Sequence, residues 1–173
     1  FGSFVADMEQ GPDGLLYCAI RGTYPEPRRH GGGIIIIDID NPENFTLIDT
    51  AVLDYYANEY MIVKDLEFDA SGILWGANAY ATTRGNPIAV RENKSWGSFS
   101  ITNSGNILSY TPNTIGFDSF GRVWVGSFED DLNTPPARNG GLVYLVYEGS
   151  IINPTSTEWG SVEINPGYTN NTV

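Results

Sequence analysis

The sequence predicts an all-β fold, a β-propeller fragment of three consecutive four-stranded antiparallel blades. Three observations predict it. One hairpin motif recurs three times along the 173 residues, each copy is followed by a second pair of strands, and no stretch has the period of a long helix. Four-stranded repeats joined as up-and-down meanders are the units of radial propeller architectures.

The motif is clearest in DLEFDASGILWGANA (65–79) and TIGFDSFGRVWVGSF (114–128). The two align without a gap: Phe68 falls on Phe117, Asp69 on Asp118, Gly72 on Gly121 and Trp75 on Trp124. DMEQGPDGLLYCAI (7–20) is a third copy, with Gly14 on Gly72, Tyr17 on Trp75 and Met8 on Leu66 and Ile115. In each copy an alternating apolar strand meets an Asp/Gly turn and returns as a strand of β-branched and aromatic residues. Asp can bond the turn backbone, and Gly can take the positive φ that a tight turn needs.

The second strand pairs follow in order. After the first hairpin come 34–39, a turn at 40–44 and 45–49. After the second come 88–91, a turn at 92–94 and 95–101. After the third come 142–148, a longer turn and 158–164. The blades are therefore expected at 1–52, 53–103 and 104–165, with 166–173 starting a linker to a missing blade. LDYYANEYMIV (53–63) could hold a helical turn, but it reads better as a crossing between repeats. Three blades do not close a ring, so the chain is expected to be part of a longer polypeptide. Assembly with other copies is the second possibility.

The alternating strand, the D-x-x-G turn and the Trp strand resemble the two-component-regulator propeller repeat. The carrying motifs are FDASGILWGAN and FDSFGRVWVGS, with NGGLVYLVYEG as a second half. GPDGLLYCA is closer to streptogramin-lyase-like or NHL-like propellers. The resemblance implies a module of an exported bacterial protein: a periplasmic sensor region, a cell-surface protein or a secretion-complex subunit. It also implies a ring of about seven blades.

A net charge of −12 argues against nucleic acid and against an anionic membrane surface. A cationic partner, a divalent ion or a neutral glycan remains allowed. No run is long enough for a transmembrane helix. The single cysteine, Cys18, excludes an internal disulfide and reads as a small buried hydrophobe.

Chemistry is expected at few places. Asp7 and Glu9 align with Asp65 and Glu67, and residues two apart on a strand share a face. Stacked repeats could gather the four carboxylates, as a cation site, as the acid and base of a glycosidase or lyase, or as strand-end acids that accept bonds between repeats. His30, the only histidine, lies in a loop and marks no triad. Glu129, Asp130 and Asp131 put three acids in one loop, where calcium is conceivable. DIDNPEN (38–44) lacks the spacing of a calcium loop and reads as a turn. The preferred surface is formed by the loops joining second to third strands (21–33, 79–87 and 128–140). They carry Tyr24, Arg28, Arg29, Tyr80, Arg84, Phe128 and Arg138, anchors for a protein or glycan. Trp75 and Trp124 read as core. The function expected is non-catalytic recognition or assembly.

Overall fold

The computed structural model describes residues 4–23, 31–56, 60–128, 141–152 and 154–162. Among them are twelve β-strands and no helix. The first meander is β1 (Phe4–Gln10), β2 (Leu16–Arg21), β3 (Gly33–Ile37) and β4 (Phe45–Ile48). The second is β5 (Ile62–Phe68), β6 (Leu74–Ala79), β7 (Ile88–Glu92) and β8 (Ser95–Phe99). The third is β9 (Pro112–Phe117), β10 (Val123–Ser127), β11 (Gly141–Gly149) and β12 (Pro154–Val162). Within each meander every strand pairs antiparallel with its successor. A single bridge, Arg21 to Ile62, joins the first two meanders into one eight-stranded sheet, and the third is a separate sheet.

The recurring motif builds the same hairpin each time. Gly14, Gly72 and Gly121 sit at φ of 80, 77 and 77°, and each donates its N–H to the carbonyl three residues back. The turn aspartate does more than shape the turn. Asp69 accepts the Ser71 and Ile73 N–H groups on Oδ1 and the Trp75 indole N–H on Oδ2 at 3.3 Å. Asp118 likewise takes the Phe120 and Arg122 N–H groups and the Trp124 indole at 2.8 Å. In the first hairpin Asp13 takes the Leu15 N–H and the Tyr17 hydroxyl at 2.7 Å. The acid and the aromatic of the motif are therefore bonded partners.

Two apolar cores lie between neighbouring meanders. The first packs Tyr17, Ala19, Ile34 and Ile36 against Val63, Leu66, Leu74 and Ala89. The second packs Trp75, Ala77, Ile88 and Val90 against Ile115, Val123, Val125, Val143 and Leu145. Each core uses the same motif positions, so the two are one interface repeated. Trp75 is fully buried as expected, whereas Trp124 is only half-buried because it faces away from both cores.

Some boundaries differ from the sequence reading. β3 stops at Ile37 because 38–44 closes a turn, with the Asp38 N–H on the Asn44 carbonyl at 3.2 Å. β12 begins four residues early, at Pro154, and its turn is correspondingly shorter. Proline is allowed there because it is the first residue of an edge strand. The linker holds no helical turn among its described residues; Tyr56 bridges Tyr60 instead.

Candidate functional site

The first strand of each meander carries one feature that recurs with the motif. Each has a β-bulge, in register shifts between Val5 and Asp7, between Val63 and Asp65, and opposite Gly126 and Ser127. The extra residues are Ala6, Lys64 and Asn113, spaced as the repeats are. The residue after each bulge is Asp7, Asp65 or Thr114. Asp7 Oδ2 accepts the Leu66 N–H at 2.9 Å, and Asp65 Oδ2 accepts the Ile115 N–H at 2.6 Å. Each acid thus ties its own meander to the backbone of the next, at the same position both times. The bulge residues also meet, through a Lys64 ammonium bond to Asn113 Oδ1 at 3.1 Å.

The structure brings the four predicted acids together. Burial raises the Asp65 pKa; the Ile115 N–H and the Thr114 hydroxyl act against this, and the charge and hydrogen bond of Asp7 add to it. Burial also raises Glu9, with Asp7 and Asp65 adding to it, and raises Glu67, with Glu9, Asp65 and Asp7 adding to it. Carboxyls raised in the folded state take up protons on folding. Stability linked to them is fully present below the unfolded values near 4 and is lost as pH rises through the folded ones. Asp65→Asn should keep an acceptor for Ile115 and remove this dependence. Its urea midpoint at pH 7 should equal or exceed the parent's, and its stability should vary less between about pH 4 and 6. Asp65→Ala should lose about 1–3 kcal/mol by orphaning the N–H. Equal losses for Asn and Ala would show that the charge, not the acceptor, holds this seam.

A second cluster forms where the strand-to-strand loops leave the sheets. Tyr80, at φ 57° in the loop after β6, lies edge to face with Phe128 at 6.0 Å and with Tyr56 at 6.1 Å. Tyr56 meets Tyr60 at 5.5 Å. The Lys64 ammonium sits 4.4 Å over the Phe128 ring, and burial, with Arg21 nearby, lowers its pKa. Tyr56, Tyr80 and Phe128 are half-buried and come from the linker, the second meander and the third. Of the residues expected on the loop face, the structure therefore brings Tyr80 and Phe128 into contact.

Arg84, expected on the same face, is engaged with the linker. Its guanidinium donates to the carbonyls of Thr50, at 2.8 Å, and Leu53, and lies over Tyr55 at 5.5 Å. Its partner Asp54, buried to 2% exposure, was not singled out in the sequence. Asp54 accepts the N–H groups of Tyr55, Arg84 and Asn86 at 2.8–3.0 Å, and its backbone carbonyl takes Asn78 Nδ2 at 2.6 Å. This network fixes the 80–87 loop against the linker and so sets where Tyr80 stands.

Tyr24, Arg28, Arg29, His30, Glu129, Asp130, Asp131 and Arg138 lie outside the described residues. Among the described residues, no three His, Cys, Asp or Glu side chains are placed to hold a metal ion, and no helix could cross a membrane. Cys18 is a buried free thiol, its pKa raised by burial and by Asp7. No protein-family model matches the chain, and no curated protein matches it.

Proposed function

We propose that the three meanders are consecutive blades of a β-propeller serving as a non-catalytic recognition module of an exported bacterial protein, at the cell surface or in the periplasm. The observation that carries this reading is the aromatic cluster of Tyr56, Tyr80 and Phe128, drawn from three segments to one end of the sheets. Rings held by packing give contact area at small entropic cost, which suits a binding surface. The net charge of −12 disfavours anionic ligands, and of the classes it allows a neutral glycan is the one that stacks on aromatic rings.

An array of neutral oligosaccharides tests this. Binding should be weakened about tenfold or more by Tyr80→Ala and by Phe128→Ala, as for interface anchors, and should be unchanged in Asp65→Asn. No glycan binding, or binding indifferent to both rings, refutes it. A second reading draws on the raised Glu9 and Glu67 carboxyls: a lyase or glycosidase acting between the innermost strands. Polysaccharide cleavage that is abolished by Glu67→Gln would replace the first reading with this one.

A further inference from the structure

We propose that the outer face of the first meander and the outer face of the third dock on each other between two copies of the chain, head to tail. The two internal interfaces say what each face is built to meet. At the first, Val63, Leu66 and Leu74 of the second meander are buried against Tyr17, Ile34 and Ile36 of the first. At the second, Ile115 and Val123 are buried against Trp75, Ile88 and Val90.

The repeat alignment carries both sets to the outer faces of the first and third meanders. Val5, Met8 and Leu16 stand on β1 and β2 where Val63, Leu66 and Leu74 stand on β5 and β6. Leu66 and Val63 are wholly buried, but Met8 is 58% exposed and Val5 56%. Leu47, facing the same way through its pairing with Ile35, is also exposed. At the other end Trp124, Leu142 and Tyr144 hold the positions of Trp75, Ile88 and Val90. They stand beside exposed Val146 and Val162. Each end thus presents the half of a repeated interface that the other end lacks.

The polar seam continues in the same sense. The N–H that donates to the acid is that of Leu66 and then of Ile115, and Met8 is their equivalent on β1. The group one step after the bulge in the third meander is Thr114, whose hydroxyl oxygen can accept that N–H across the docked ends. One substitution sets the third meander's face apart from the other two. Arg122 replaces Ile73 and Leu15, bonds Asp118 at 2.6 Å and lies over Trp124 and Tyr144 at 5.1 and 5.6 Å. A contact of unlike faces repeats from copy to copy and closes into a ring if the rotation permits.

Sedimentation velocity on the chain from about 1 to about 100 µM tests this, the range in which modest interfaces form. The chain should move from its 18.9 kDa monomer mass to assemblies as concentration rises. Met8→Asp and Val146→Asp, on opposite faces and both exposed, should each stay monomeric. Their equimolar mixture should give a one-to-one dimer, because each variant keeps the face that the other has lost. Leu47→Lys and Val162→Lys serve as a second pair if either substitution impairs folding by circular dichroism. A parental chain that is monomeric throughout overturns the proposal and leaves further repeats of a longer polypeptide as the occupants. A mixture that stays monomeric overturns it too, since any assembly would then join like faces.

Discussion

Trp75→Ala is expected to lower stability by about 3–5 kcal/mol, the usual cost of truncating a large buried aromatic. The size follows from where the ring sits. Trp75 is wholly buried, stacked on Phe99 at 5.8 Å with only 4° between the planes, and in contact with Phe117 at 6.2 Å and Tyr147 at 5.9 Å. Phe117 and Tyr147 belong to the third meander, so the cavity would open at the joint between two sheets. The Asp69 carboxylate would also lose the indole N–H. The Tyr147 hydroxyl, which bonds the same oxygen at 3.2 Å, would lose its packing partner. Trp124→Ala is the internal control. It has the same motif position and the same aspartate bond, but a half-exposed ring. Thermal melts of the two variants should be clearly separated, with Trp75→Ala the lower. Equal midpoints would mean that the joint between sheets contributes little.

Asp54→Ala is expected to cost a similar amount, about 3–5 kcal/mol, for a different reason. The core loses almost no apolar contact. Instead three backbone N–H groups and one guanidinium lose a buried acceptor together. Orphaned buried donors carry their full desolvation cost, more when one of them is charged. Asp54→Asn retains one carbonyl oxygen and should lose distinctly less. Urea unfolding gives both values, and amide exchange at Arg84 and Asn86 should quicken in the alanine variant before global unfolding. Unchanged exchange there would remove Asp54 from the role of loop anchor.

Most of the sheet architecture was legible because its cause is local. Alternation and turn chemistry write a hairpin into about fifteen consecutive residues, and three copies make it plain. The acid pairs were legible as well, since their spacing puts both on one face. What they bond to was not, because Leu66 N–H and Ile115 N–H lie in the next repeat. Asp54 was invisible for the same reason: its partners are some thirty residues away, and nothing around it looks unusual. Asp13 shows a subtler limit. It does the work of Asp69 and Asp118 from two positions later, so alignment places Gly11 opposite them. A Cβ on Gly11 would meet Asp13 Oδ1 at 2.6 Å and the Tyr17 ring at 2.7 Å. The bond is kept while the residue that makes it moves.

The bulges have a consequence for how such a chain can diverge. Ala6, Lys64 and Asn113 are outside the apolar cores, and none is held by a strand partner of its own. Their backbone conformation aims the following residue across the joint, and the aim does not depend on which side chain stands at the bulge. A methyl, an ammonium and a carboxamide therefore occupy the same place in three copies of one unit. Duplication of a unit supplies each new copy with one such position, outside the apolar cores, on the first strand of its meander. Drift there can rewrite the chemistry of that surface, one copy at a time, while the scaffold beneath is inherited unchanged.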